Sequence, residues 1–122
     1  MARARFTEVT TAVDGVKKQV ELCFFAEGTG TYSAGGTISN KKCSNSNNGD
    51  GWRLGAATDY ATKYVNDITV VDGTITATAI GGNGLSGSTY ILVPHFGNAA
   101  ADNGIIDWQR DSTSSCITNE LC

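Results

Sequence analysis

The chain has a single histidine, no long apolar run and no block of positive charge, and each shortage removes a class of function. A Ser-His-Asp or Cys-His site would have to be built on His95, which sits between Pro94 and Phe96 at the end of an apolar stretch. Gly84-Leu85-Ser86-Gly87 fails the nucleophile-elbow pattern, because Ser88 stands where the last glycine belongs. The acidic residues are dispersed, and Asp107 alternates away from the apolar side of its segment, so no carboxylate pair marks a glycosidase. No catalytic residue is expected. A membrane-spanning helix needs roughly 20 apolar residues in a row, and no stretch here approaches that. The net charge is −3, with Arg3, Arg5, Lys17, Lys18, Lys41 and Lys42 scattered, so no basic field draws nucleic acid or an anionic membrane. No phosphate loop, dinucleotide-binding unit or nucleic-acid module is present, and no cofactor is expected. Asn45 to Asp50 is loop-like but lacks the aspartates and closing glutamate of a calcium loop.

At 122 residues, 40% apolar and 17% charged, the chain reads as one domain over 1–122 that buries a real core. Four cysteines fall in two separated pairs, Cys23/Cys43 and Cys116/Cys122. Neither pair has zinc-ribbon or C-x-x-C spacing, so no metal is expected, and two disulfides formed in an oxidising compartment account for them better. Of the three possible connectivities, the sequential one is favoured because each pair brackets a polar loop. Chain entropy assigns roughly 3 kcal/mol to a Cys23–Cys43 bridge and roughly 2 kcal/mol to Cys116–Cys122. An exported protein should carry an export signal, whereas Met1-Ala2-Arg3-Ala4-Arg5 leads straight into a polar helix. The expectation is that Met1 stands in place of a removed N-terminal segment.

Periodicity divides the rest. From about residue 4 to 24, Phe6, Val9, Val13, Val16, Val20 and Cys23 fall at alternating steps of three and four, placing them on one helix face. Glu8, Thr11, Asp14, Lys18 and Glu21 take the other, with Asp14–Lys18 and Lys17–Glu21 at ion-pairing spacing. The valine-rich face and Gly15 both weaken a free helix, so this one needs a surface to lie on. Residues 26–61 show little periodicity and form a long irregular loop, held by Cys43 and pinned by Trp52, Leu54 and Tyr60. From about 63 to 110 the period is two. Ile68 and Val70 share a face, Asp72-Gly73 signals a type I′ hairpin turn, and Ile75, Ala77 and Ala79 share the next face. Thr89 to Val93 follows, and Pro94 should end that strand or mark a sheet edge. Ile105 to Arg110 gives a fourth strand with Ile106 and Trp108 on one side, and a polar tail runs from 111 to 122. The expected architecture is α+β: an N-terminal amphipathic helix packed on a four-stranded antiparallel meander.

These pieces, in this order, resemble the type IV pilins of the IVa kind. Ala2 to Glu21 is similar to the segment that follows the hydrophobic stem in such chains. Lys63 to Thr78 resembles their first hairpin, Tyr90 to Pro94 the third strand, Ile105 to Trp108 the fourth, and the Cys116/Cys122 pair the bridge closing the head. Two departures stand out. Arg110 occupies the place where many relatives have a cysteine, so the Cys116–Cys122 loop is short; and Cys23–Cys43 is an additional bridge. The resemblance implies a non-enzymatic subunit of a pilus fibre serving attachment, twitching motility, biofilm or DNA uptake. It further implies other pilin subunits as partners, joined through an N-terminal stem absent here, and the pilus assembly machinery. The expected location is the extracellular fibre of a Gram-negative bacterium, and its inner membrane before assembly. A pseudopilin of a type II secretion system, or a secreted module that does not polymerise, is the alternative.

Overall fold

Helix α1 runs from Ala2 to Glu27 and carries the stripe that the period of 3.6 demands: Phe6, Val9, Val13, Val16, Val20, Cys23 and Phe24 are all buried. The computed structural model describes residues 2–27, 31–32, 38–49, 52–82, 84–95 and 107–122. A valine-rich helix is held by what it lies on rather than by its own propensity. What it lies on is the sheet formed by β5 (Val65–Val71), β6 (Thr74–Ala79), β7 (Thr89–His95) and β8 (Asp107–Arg110), antiparallel in the order β5-β6-β7-β8. Alternation puts Val65, Ile68, Val70, Ile75, Ala77, Ala79 and Leu92 on the helix side. Thr69, Thr74, Thr76 and Thr78 face the other way. Phe6 meets Tyr90 edge-on at one end of this layer, with ring centroids 6.3 Å apart. At the other end Phe24 packs on the β5–β6 turn. The α+β meander read from periodicity is the fold observed.

The turn is the hairpin that Asp72-Gly73 encodes: both residues have positive φ, 55° and 98°. Gly73 is also fixed by space, because a Cβ there would lie 2.5 Å from the buried Phe24 ring.

Between α1 and the sheet, the described residues carry regular structure that composition does not suggest. Short ribbons pair β1 (Thr31–Tyr32) with β2 (Ile38–Ser39) and β3 (Asn48–Gly49) with β4 (Trp52–Arg53), and a 3₁₀ turn follows at Ala57–Tyr60. Trp52 and Leu54 are buried as anchors, Tyr60 packs on the core from its edge, and Ile38 joins the core as well.

Two expected ion pairs on α1 are corrected. Neither Asp14–Lys18 nor Lys17–Glu21 pairs; Lys17 reaches Asp14 instead at 3.4 Å, one turn in the other direction. Glu21 is drawn off by the sheet, its carboxylate accepting the Trp108 indole N–H at 2.9 Å. Of the two roles expected of Pro94, it marks a sheet edge and does not end its strand: β7 continues to His95, and Pro94 lies opposite Trp108 of β8. On the β6 side pairing stops at Ile75–Leu92, so Pro94 stands where β7 has a partner on one flank only. A residue without an N–H is tolerated there. Ile105 and Ile106, expected to open the fourth strand, lie outside the described residues, as do Phe96 and Asp50.

The double constraint on Gly73 sets an expectation. Gly73→Ala should cost about 2–4 kcal/mol, combining left-handed strain with overlap against Phe24. A urea unfolding curve measures it, and a midpoint unchanged from wild type would contradict the role given to this turn.

Candidate functional site: the two cystine-tethered margins

Strand β5 and the first half of β7 each leave a sheet margin that needs covering, and each cystine ties down a segment that covers one. Strand β5 is an edge, and an edge presents unpaired N–H and C=O groups. The polar stretch after Ser39 supplies their partners. Asn45 donates its backbone N–H to Val70 O at 3.0 Å, and its side-chain oxygen accepts from Val70 N at 2.6 Å. Its amide nitrogen donates to Ile68 O at 3.3 Å and to Gly55 O at 3.0 Å. One asparagine thus serves as a short extra strand. The hairpin turn is held in the same way: Gly73 N donates to Cys43 O at 2.7 Å, Asp72 N to the Ser44 hydroxyl at 2.9 Å, and Asn40 N to Asp72 O at 3.1 Å. Cys43 is bridged to Cys23 of α1 with 5.9 Å between Cα atoms, and both are fully buried. The bridge therefore fastens helix, loop and hairpin turn at one point.

The other margin is the first half of β7. Strand β8 pairs with β7 only from Leu92 onward, which leaves Thr89 to Ile91 without a strand on that side. The tail takes over. Asp111 N donates to Ile91 O at 2.9 Å, Ile91 N to the Ser114 hydroxyl at 2.9 Å, and Thr89 N to the Ser115 hydroxyl at 2.8 Å. Ser114 and Ser88 are buried, and the Asn119 side-chain amide donates to the Ser88 hydroxyl at 2.6 Å. The tail then forms α2 (Ser115–Thr118) and turns back: Leu121 N donates to Cys116 O at 2.8 Å, with Glu120 at a φ of 59°. That is the Schellman closure of a helix, made here without the usual glycine. The Cys116–Cys122 bridge, 5.5 Å between Cα atoms, seals the ring.

The remaining candidates gather no chemistry. The ring nitrogen Nδ1 of His95 lies 3.0 Å from Val93 O, a contact within its own strand. Gly82 to Gly87 spells G-x-G-x-x-G after β6, but it leads into strand β7 instead of a helix, so it offers no helix N-terminus to a pyrophosphate. An open depression of about 380 Å³ is lined by Gln19, Arg53, Gly55, Asp59 and Tyr60. Three of its lining side chains bind the protein's own backbone: the Gln19 carbonyl accepts Arg53 N, Tyr60 OH accepts Gly55 N, and Asp59 accepts Ala56 N. Among the described residues no group of three or more His, Cys, Asp or Glu side chains is placed to hold a metal ion, and no helix is long and apolar enough to cross a membrane.

Sequence reasoning found the cysteines but not what they hold. Asn45, Ser114, Ser115 and Glu21 work through partners 25, 23, 26 and 87 residues away, and no local signal announces such pairs.

Asp111 starts the tail, and its acidity is set by the tail's own groups. The Thr113 backbone N–H, then the Thr113 hydroxyl, donate to its carboxylate, both at 2.8 Å, and hold its pKa below the ordinary 3.8 against a small opposing effect of burial. A depressed carboxylate stabilises the fold above its unfolded pKa, and the contribution is lost as pH falls through the folded value. The melting-temperature gap between wild type and Asp111→Ala should therefore be present at pH 7 and shrink once pH drops below 3.8. An equal gap at pH 7 and pH 2 would show that the charge plays no part.

Compared with known protein families, residues 2–120 match the family described as Pilin (bacterial filament). A search of curated proteins finds no match. The helix on its meander, the cystine-tethered margins and a match over nearly the whole chain lead to one assignment: this protein belongs to the pilin family, the type IV pilins that polymerise into extracellular bacterial filaments.

Proposed function

We propose that this chain is the head of a type IVa-like pilin, a structural and non-enzymatic subunit forming the outer layer of a pilus on a Gram-negative bacterium. The observation that carries this reading is the two-sided character of α1. One face is sealed by the sheet, while Glu8, Thr11, Asp14, Gly15, Lys18 and Leu22 remain exposed along its length. In a filament subunit, such a helix continues an apolar stem that packs with the stems of neighbouring copies, and the sheet faces outward. Before assembly the stem holds the subunit in the inner membrane, where the assembly machinery collects it. The head is a single unit over residues 1–122, and its cystines serve a fibre that must survive tension and proteases with no help from chaperones.

The two cystines support this reading over a pseudopilin of a type II secretion system, since pseudopilins often lack disulfides and often bind calcium. A secreted module that does not polymerise differs in its gene, which would show no prepilin cleavage site or apolar stem upstream of Ala2.

Deleting the gene should remove surface fibres together with the attachment, twitching, biofilm or DNA uptake that depends on them, and complementation should restore both. Normal piliation and normal attachment in the deletion strain would contradict the proposal. A calcium-dependent rise in melting temperature would favour the pseudopilin reading.

A further inference from the structure

The two bridges have the same chemistry and opposite surroundings. Cys23 and Cys43 are both sealed in the core, so a nucleophile reaches them only when helix and sheet separate. In the C-terminal bridge Cys116 is buried but Cys122 is exposed. Thiol–disulfide exchange depends on access to a sulfur and on how well the departing thiolate is accommodated. Cys122 is an exposed residue, and the Arg110 guanidinium stands 3.7 Å from its sulfur, where it favours the approach of an attacking thiolate. The structural consequence of opening is also local. Residues 111 to 121 satisfy the backbone of Thr89 and Ile91 through side-chain hydroxyls and one backbone N–H, and the tail has little core of its own beyond Cys116 and Leu121. Closing the ring restricts the freedom of the unbound tail, and opening it restores that freedom.

We propose that Cys116–Cys122 is a redox-sensitive catch, opened selectively by dithiol reductants, and that its opening frees the tail from the β7 margin while Cys23–Cys43 stays closed. One thiolate of the dithiol attacks Cys122 Sγ, and the bond to Cys116 breaks. Cys116 leaves as a thiolate and takes a proton from water. The second thiol of the reductant gives up its proton and closes on the first, expelling the Cys122 thiolate, whose charge the Arg110 guanidinium stabilises until it too takes a proton from water. The reductant ends as a disulfide, and the protein has gained two electrons and two protons. With the tail released, the Thr89 and Ile91 N–H groups and the Ile91 carbonyl lose their partners, and a stretch of sheet edge is bared.

The test treats the 122-residue protein with dithiothreitol, traps thiols by alkylation at successive times, and follows amide hydrogen exchange in parallel. Cys116 and Cys122 should be alkylated at least about 100-fold faster than Cys23 and Cys43, whose exposure needs a global opening. Over the same interval Thr89, Ile91 and residues 112–121 should lose exchange protection while α1 and β6 keep theirs. Arg110→Gln should slow opening about threefold or more, since it removes the cation that draws the attacking thiolate to Cys122 Sγ. A Cys116→Ser, Cys122→Ser double variant should show the opened exchange pattern with no reductant; if it fails to fold, the wild-type time course decides alone. Equal alkylation rates for the two bridges, or Thr89 and Ile91 still protected after the C-terminal bridge has opened, would overturn the proposal.

Discussion

Neither layer of this molecule can exist without the other. The buried stripe of α1 is mostly valine, a residue that restricts its own rotamers in a helix and gives up part of its propensity. The sheet has one apolar side, whose small central residues Ala77 and Ala79 let the helix approach closely. Each would leave that side in water alone, and together they cover it. Burying a valine-sized side chain contributes about 1.5–3 kcal/mol, so the shared stripe outweighs any single hydrogen bond or bridge in the fold. The rest of the architecture follows from this contact. It fixes which way the Asp72–Gly73 turn faces, and that turn must be glycine-tight because Phe24 lies against it. It also brings Glu21 within reach of Trp108, tying the helix to the far strand.

Once the two layers are joined, the sheet still has margins to cover, and both are handled by the same device. A polar segment lies along the strand and offers side-chain groups in place of a ladder, and a cystine holds that segment in register. At β5 the segment is the loop around Asn45, held by Cys43; at β7 it is Ser114 and Ser115, held by Cys116. Closing β5 and the first half of β7 in this way leaves fewer backbone groups for unwanted strand pairing. The bridges differ in depth, which makes one permanent and the other accessible.

Much of this was legible beforehand, for a physical reason. Helix and strand faces are local properties: the steps of three and four from Phe6 to Cys23 and the alternation from Ile75 to Ala79 need no knowledge of a partner. Asp72-Gly73 was legible because few residue pairs accept two positive φ angles in succession. Pro94 was legible only as a strand end or a sheet edge, because the choice depends on how far β6 extends, which the residues around it do not reveal. The expected helix ion pairs failed for a similar cause, with Trp108 competing for Glu21 across the fold. Glu120 gave no turn signal, since its left-handed conformation is imposed by ring closure. The little ribbons between residues 31 and 53 are two residues to a strand, too short for any period to register.

The central claim is that α1 and the sheet form one cooperative unit through the valine stripe. Native-state hydrogen exchange of the amides from Val9 to Val20 and of those in β6 measures this directly. The account predicts a single opening free energy for both sets, equal to that of global unfolding. A helix that exchanges through a separate and cheaper opening, with β6 still protected, would contradict it.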